Sequence, residues 1–352
     1  MPLPIVAVSL GDPAGIGPEV LAAALARGAV LERARLVVFG DPAVLREGAR
    51  AAGVDPPLHV TADPADTPVP VGRAMIVPVG ARPDGVGPGR PGPGCGAAAH
   101  RTLLAALAFA HSGGADAICT LPVSKARIAA DGIAFAGQTE VVAEVAGGGP
   151  GVMLFVAPAL RVALCTVHVP LGAVPAALTR AGVARTIELT ARSLVRDLGV
   201  ERPRIAVAGL NPHAGEEGLF GPEDAAVVAP GIADARAALG DLAVVCGPVA
   251  GDALFTAEAR AGYDAAVAMY HDQGLAPLKA LCRFEAVNFT AGLALVRGAP
   301  AHGTADDIAG TGRASPEGVE AAVALVAEIA ARRAAAAAAA SARGMVVPFE
   351  RR

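Results

Sequence analysis

The segment AAVAMYHDQGLAPLK, residues 265–279, decides the fold, because a short apolar run ends there abruptly in polar and ionisable residues. This pattern predicts a buried strand that delivers side chains to a site at its carboxyl end. It occurs twice more, in residues 160–168, which end in His168, and in residues 205–213, which end in His213. Together with His271, these histidines would lie in one crevice if the three strands were parallel. We therefore expect three imidazoles to bind one divalent cation.

Length and composition limit the class of protein. A chain of 352 residues predicts two lobes rather than one ordinary domain. Lys plus Arg total 29 and Asp plus Glu total 33, so the net charge of -4 argues against a nucleic-acid surface and favours a small-molecule partner. No apolar run approaches the roughly 18 residues that span a membrane. Residues 1–10 lack the basic region of a secretory signal, which predicts a cytoplasmic protein.

The five cysteines are widely spaced and include no C-x-x-C pair, which favours buried, reduced thiols over a metal or redox site.

Strands alternate with helices in the first part of the chain. Strands are predicted at 5–10, 35–40 and 115–120, with helices at 20–26, after Asp41 and at 97–112. The glycine-rich turn at 11–17 either holds an anion or cofactor or is purely structural. Residues 56–96 are rich in Pro and Gly and predict irregular structure. They contain a literal G-x-G-x-x-G at 87–92, but no strand precedes it and its prolines cannot form the required helix, so it is not a dinucleotide fingerprint.

Later segments suggest a mixed sheet. Residues 152–156 and 160–169 predict an antiparallel pair at a sheet edge. Further strands are predicted at 204–210 and 242–247, and a pair of strands within 286–296. Ser315 predicts the start of a long helix that extends to about residue 340, and we expect residues 341–352 to fray.

Polar residues after His271 suggest an anion clamp. Lys279, Asn288 and Arg297, with Thr139, could hold a phosphate or carboxylate by charge-assisted hydrogen bonds. For Arg297 alone, surface charge is the preferred interpretation. Asp252 and Asp272 are possible accessory residues. His302, in the turn HGTADD, either serves a cofactor or caps a helix.

A divalent ion would activate a coordinated oxygen, lowering the pKa of bound water to about 7. That chemistry suits oxidation of an alcohol, but a metal-dependent hydrolase would use the same histidines. A protein that binds metal without catalysis would need no anion clamp.

Five motifs in order are more specific than any one of them: GDPAGIGPE at 11–19, VHVPL at 167–171, GLNPHAGE at 209–216, YHDQGLAPLK at 270–279 and HGTA at 302–305. With them, nearly the whole chain closely resembles the 4-hydroxythreonine-4-phosphate dehydrogenase family of pyridoxal phosphate biosynthesis. The resemblance implies an α/β fold like isocitrate and isopropylmalate dehydrogenases, with two lobes, mixed sheets and a central cleft. The lobes expected are 1–135 with 305–352, and 136–304, the second carrying the metal, substrate and dimer residues.

The resemblance also implies a homodimer in which the partner completes each active site. It implies NAD or NADP and one divalent metal, zinc, magnesium or cobalt, on His168, His213 and His271. The matching substrate positions are Gln138, Thr139, Lys279, Asn288 and Arg297. The reaction implied is oxidation of 4-(phosphooxy)-L-threonine to 2-amino-3-oxo-4-(phosphooxy)butanoate, which loses carbon dioxide to give 3-amino-2-oxopropyl phosphate. A dehydrogenase of 4-phospho-threonate, 4-phospho-erythronate or another cis-diol acid is the nearest alternative.

One substrate position departs from the family pattern. Gln138 stands where the family usually has histidine, and an amide donates a hydrogen bond but carries neither charge nor a titrating proton. We therefore expect a substrate contact that does not depend on pH. A histidine restored at this position is expected to add binding below about pH 6.5.

Overall fold

The computed structural model describes residues 2–147, 149 and 151–342. Two compact units are present, Met1–Gly147 with Ala294–Arg352, and Gly148–Leu293. The boundaries of these units differ from the lobe boundaries expected from the sequence, at 135/136 and 304/305. The expected lobes stay a prediction. As a consequence, Gln138, Thr139 and Arg297 belong to the first unit and not to the one that carries the three histidines. Fraying is predicted for residues 341–352, and of these, residues 343–352 lie outside the described part of the chain.

The first unit is built on parallel strands. Its sheet has the order β3-β4-β2-β1-β5-β12, and every neighbouring pair in it is parallel. Apolar residues such as Val6 and Val8 are completely buried, as expected when helices cover both faces of a parallel sheet. The strands are β1 (Ile5–Ser9), β2 (Arg35–Gly40), β3 (Leu58–Val60), β4 (Ala74–Pro78), β5 (Ala117–Thr120) and β12 (Val296–Pro300).

The helices of the first unit follow local sequence signals. Pro18 lies in the first turn of its helix, and the Asp41 carboxylate caps the next by accepting a hydrogen bond from the Ala43 backbone N–H at 2.8 Å. Glu19 is buried, and its carboxylate accepts the Gly310 backbone N–H at 2.7 Å. The helices are α1 (Gly17–Arg27), α2 (Ala29–Arg33), α3 (Pro42–Ala51), α4 (Cys95–His111), α5 (Lys125–Ala130), α6 (Gln138–Ala146) and α13 (Glu317–Ala342).

The second unit contains a mixed sheet of order β11-β6-β7-β10-β8-β9. Its strands are β6 (Val152–Val156), β7 (Arg161–Leu164), β8 (Arg204–Ala208), β9 (Val244–Val249), β10 (Ala265–Ala268) and β11 (Val287–Ala291). β6 is antiparallel to β7 and to β11, whereas β7, β10, β8 and β9 are parallel. Its helices are α7 (Val174–Ala177), α8 (Arg180–Arg196), α9 (Ala229–Leu239), α10 (Gly251–Leu254), α11 (Ala257–Arg260) and α12 (His271–Cys282).

Three local predictions are corrected, and one helix was not predicted. Residues 56–96 contain β3, which has only three residues, and β4, which lies among the Pro and Gly residues that predicted irregular structure. The antiparallel pair β6–β7 lies inside the sheet, because β11 flanks β6. The polar segment after Tyr270 starts helix α12, and Pro277 lies within it. Cys246 is exposed, whereas Cys95, Cys119 and Cys282 are buried as expected.

Within the described residues, no helix is both long and apolar enough to cross a membrane.

Candidate functional site

Three neighbouring parallel strands, β7, β10 and β8, lead to the three predicted histidines, and side chains tie the ends of these strands together. The Thr166 hydroxyl donates to the Met269 carbonyl at 2.8 Å, which joins the end of β7 to that of β10. Gln273 accepts the Met269 backbone N–H at 2.7 Å and donates from Nε2 to the Gly209 carbonyl at 2.7 Å. This amide joins the end of β10 to that of β8. The predicted arrangement of strand ends is therefore present in the second unit.

His168 and His271 form a close pair. Their ring centres are 5.9 Å apart, and both side chains line a cavity of about 370 Å³. Two imidazoles bound to one tetrahedral zinc ion through nitrogens at about 2.0–2.1 Å have ring centres about 5 Å apart. The cavity wall also includes Leu171, which is 70% exposed. The ring centres are therefore about 1 Å farther apart than those of two ligands on one tetrahedral ion, and the pair lies in an open pocket with an apolar side.

His213 lies on a turn of unusual backbone conformation. Residues 213–217 all have positive φ, from 40° at Glu216 to 85° at Gly215. Left-handed conformations in non-glycine residues cost about 1–2 kcal/mol each and concentrate at functional sites. His168 also has a positive φ, of 46°. Two of the three predicted ligands are thus held in strained backbone.

Carboxylates orient two of the imidazoles. His271 Nδ1–H donates to Asp272 Oδ1 at 2.7 Å, and His213 Nδ1–H donates to Glu216 Oε2 at 2.8 Å. Because a carboxylate only accepts, each neutral imidazole keeps its lone pair on Nε2, as in carboxylate–histidine–metal arrangements. This donor chemistry suits a divalent ion.

The described residues contain no cluster of three or more His, Cys, Asp or Glu side chains that could hold a metal. The structure pairs His168 with His271 and does not bring His213 into one group with them.

A second polar site surrounds Arg297 in the first unit. Arg297 is only 2% exposed, so its interpretation as surface charge is wrong. The guanidinium donates from Nε and Nη2 to Thr120 Oγ1, at 3.2 and 2.8 Å, and from Nη2 to Gln138 Oε1 at 2.9 Å. Nη1 donates to Thr139 Oγ1 at 3.4 Å. Burial lowers the pKa of Arg297 to about 10, which leaves the group cationic at neutral pH and favours a nearby anion.

Gln138 has a defined amide orientation. Its Oε1 accepts from the Thr120 hydroxyl at 2.9 Å as well as from Arg297, and its Nε2 donates to the Leu121 carbonyl at 2.9 Å. Turning the amide over would set its NH₂ donors against the guanidinium, which has no acceptor. The second Nε2–H is the donor that Gln138 can offer to a ligand.

The other predicted residues are more dispersed. Lys279 is exposed and lies eight residues beyond His271 on α12, about 12 Å along the helix axis at 1.5 Å per residue. Asn288 Oδ1 is buried and accepts no hydrogen bond from the described residues, so it is an acceptor that a ligand donor would satisfy. Asp252 is exposed on α10. His302 Nδ1–H donates to the Gly303 carbonyl at 3.1 Å, and no helix begins at 302–305.

Sequence reasoning missed Thr120, Gln273 and Asp224, which form hydrogen bonds to the predicted residues or to the backbone that leads to them. Thr120 is the last residue of β5, so its place at a strand end could have identified it. Gln273 donates to the Gly209 carbonyl, 64 residues away, and Asp224 accepts backbone N–H groups 13 and 14 residues away, separations at which no residue pattern indicates a contact.

Comparison with known proteins identifies the family. The model of the family described as "Pyridoxal phosphate biosynthetic protein PdxA" matches residues 32–326, most of the chain. The chain belongs to the PdxA family. The resemblance derived from the five motifs is therefore confirmed. A PdxA-family relative named 4-hydroxythreonine-4-phosphate dehydrogenase, from Desulfosudis oleivorans, is 41% identical over 330 residues, which is 94% of this chain and 97% of the relative.

Solved structures agree with the PdxA-family fold. The 4-hydroxythreonine-4-phosphate dehydrogenase from Klebsiella pneumoniae aligns with a TM-score of 0.80 at 37% identity, covering 93% of this chain and 98% of that one. A terephthalate 1,2-cis-dihydrodiol dehydrogenase from Burkholderia xenovorans aligns with a TM-score of 0.60 at 31% identity, covering 92% and 98%. The predicted mixed α/β fold class is confirmed.

Proposed function

We propose that this protein oxidises 4-(phosphooxy)-L-threonine in pyridoxal phosphate biosynthesis. The secondary alcohol loses a hydride to NAD⁺ or NADP⁺ and a proton from its hydroxyl, which gives 2-amino-3-oxo-4-(phosphooxy)butanoate. This β-keto acid loses carbon dioxide to form 3-amino-2-oxopropyl phosphate. Membership of the PdxA family supports the substrate. The observation that carries the chemistry is the set of tied parallel strand ends that lead to His168, His271 and His213.

The three histidines would hold one divalent ion, zinc, magnesium or cobalt. When bound, such an ion lowers the pKa of a hydroxyl and stabilises negative charge on its oxygen. Asp272 and Glu216 fix the proton of their histidines on Nδ1, which leaves the lone pair on Nε2. This tautomer is needed for ligation, since only a deprotonated nitrogen can donate its lone pair.

Gln138, Thr139, Lys279, Asn288 and Arg297 would bind the substrate. Arg297 supplies a permanent buried charge for an anionic group, and Gln138 adds a neutral donor beside it. Buried, oriented donors cost little reorganisation when an anion arrives. Asn288 Oδ1 would accept from a substrate hydroxyl or ammonium group.

The working enzyme would be a homodimer with active sites shared between subunits. The described residues of one chain do not gather three metal-ligating side chains, and the cavity beside His168 and His271 has the strongly exposed Leu171 on its wall. A second copy of the chain would bring its His213 to the pair His168 and His271, completing the set of three ligands, and would cover this apolar residue. A cytoplasmic location stays a prediction from the sequence.

The test is reduction of NAD⁺ or NADP⁺, followed at 340 nm, on mixing metal-loaded protein with 4-(phosphooxy)-L-threonine. Chelation should abolish the signal, and added Zn²⁺, Mg²⁺ or Co²⁺ should restore it. His271→Ala should lose turnover, whereas the matched control His59→Ala, an exposed histidine on β3, should keep it. Phosphate release without nicotinamide reduction would identify a hydrolase, and no reaction with any metal would refute the proposal.

A dehydrogenase of 4-phospho-threonate, 4-phospho-erythronate or another cis-diol acid is the second candidate. Two observations favour it, the glutamine at position 138 and the similarity to a cis-dihydrodiol dehydrogenase. The same assay with these acids distinguishes the candidates by kcat/KM.

A further inference from the structure

The turn that carries His213 is organised around one buried carboxylate. Asp224 begins the π-helical turn Asp224–Val228 and is 2% exposed. Its Oδ1 accepts the backbone N–H of Leu210 at 2.7 Å, and its Oδ2 accepts that of Asn211 at 3.0 Å. Both oxygens are thus engaged with the two residues that leave β8 and lead to His213.

The turn is folded closely around Asp224. A Cβ added to Gly209 would lie 2.7 Å from Ala214 Cα and 3.0 Å from Asp224 Oδ1. At Gly215, where φ is 85°, an added Cβ would lie 3.2 Å from Asp224 Cβ. The glycines on either side of His213 are therefore required by the approach of the backbone to this carboxylate.

The turn also needs an external restraint. Four non-glycine residues, His213, Ala214, Glu216 and Glu217, have positive φ, and such conformations persist only where surrounding contacts impose them. The two hydrogen bonds that the buried Asp224 side chain accepts at the start of the turn provide that restraint.

We infer that Asp224 is the positioning residue that holds His213 in its metal-binding orientation. The inference rests on the proposed role of His213 as a metal ligand. Glu216 fixes the tautomer of the imidazole, whereas Asp224 fixes the backbone from which the imidazole projects. Asn at position 224 has nearly the same shape but sets an NH₂ donor against one of the two backbone N–H groups, so it removes the restraint without leaving a cavity.

The experiment uses the full-length protein and Co²⁺, whose visible absorption reports ligand geometry directly. In Asp224→Asn, Co²⁺ should bind about ten- to a hundredfold more weakly, the range typical of residues that support metal ligands. Hydrogen–deuterium exchange should become faster in the peptide that spans residues 209–217. Asp197→Asn is the matched control, because Asp197 is also completely buried in the second unit but pairs with Arg196 on α8. This control should keep wild-type Co²⁺ affinity and wild-type exchange in 209–217.

The variant His213→Ala distinguishes failure of the proposed ligand role of His213 from failure of the positioning role of Asp224. If His213→Ala loses Co²⁺ binding while Asp224→Asn keeps wild-type affinity, only the inference about Asp224 is overturned. If His213→Ala binds Co²⁺ as the wild type does, the proposed ligand role fails, and the positioning role fails with it. Should Asp224→Asn not fold, Gly215→Ala pushes a methyl group against Asp224, and wild-type Co²⁺ affinity in that variant would equally overturn the inference.

Discussion

Replacing Thr120 with valine tests whether the Arg297 site is held together by one hydroxyl. Valine has nearly the shape of threonine and keeps its preference for strands, so β5 should persist. The change removes an acceptor that receives two hydrogen bonds from a buried guanidinium and a donor to Gln138. Hydrogen bonds to a charged group contribute about 1.5–3 kcal/mol and neutral ones about 0.5–1.5 kcal/mol. Because both guanidinium hydrogen bonds share the one Thr120 oxygen, we count them as a single charged hydrogen bond and expect the free energy of unfolding to fall by about 2–4.5 kcal/mol.

Activity should respond differently from stability. With the guanidinium and the Gln138 amide less well fixed, the KM for the phosphorylated substrate should rise about fivefold, equivalent to about 1 kcal/mol, while kcat changes little. Urea unfolding and initial-rate kinetics measure the two effects. Thr120→Ser is the control, because it keeps the hydroxyl and loses only a methyl group, at about 1 kcal/mol in stability and no change in KM. Wild-type stability in Thr120→Val would refute the network, and a raised KM in Thr120→Ser would refute the role of the hydroxyl.

Three further predictions concern Gln138, Arg297 and the sharing of active sites between subunits. In Gln138→His, a protonated imidazole would lie about 4 Å from the Arg297 charge, which gives a repulsion of about 4 kcal/mol. The pKa of this histidine in the substrate-free protein should therefore fall from about 6.5 to below about 5. A pKa at or above about 6.5 in an NMR titration would contradict this prediction. Burial lowers the pKa of Arg297 only to about 10, so the group stays charged from about pH 7 to about pH 9. The increase in Tm that sulfate produces should therefore be constant over that range. Loss of the increase within it would indicate that another group binds the anion. Mixing inactive His213→Ala with inactive Lys279→Ala should restore activity if the two residues reach one site from different subunits, and no recovery after verified subunit exchange would argue against that sharing.

The structure reverses the effect expected of a histidine at position 138. From the sequence, a histidine restored at 138 would gain charge below about pH 6.5 and bind an anion more tightly. Beside Arg297, however, that charge is opposed by a cation whose nitrogen lies 2.9 Å from the Gln138 oxygen. Glutamine avoids the repulsion, and its carbonyl stabilises the guanidinium instead.

Much of the architecture could be predicted from the sequence because it depends on local signals. The apolar runs before His168, His213 and His271 identified strands, and Asp41 and Pro18 marked helix starts, since capping and strand burial depend on neighbouring residues. The motifs also identified the family. β3 was missed because it has only three residues, and β4 was missed because glycine and proline flank its apolar run.

Long-range packing decided the remainder. Along the chain the strands occur as β7, β8, β10, but in the sheet β10 lies between the other two, and only this order brings His168 beside His271. The burial of Arg297 depends on Thr120, which lies 177 residues earlier in the chain, so no sequence window contains both. The left-handed turn at His213 likewise depends on Asp224 and on space that two glycines leave for it. Chain order and residue type determine which side chains reach a strand end, whereas hydrogen bonds between distant segments determine how those side chains are held.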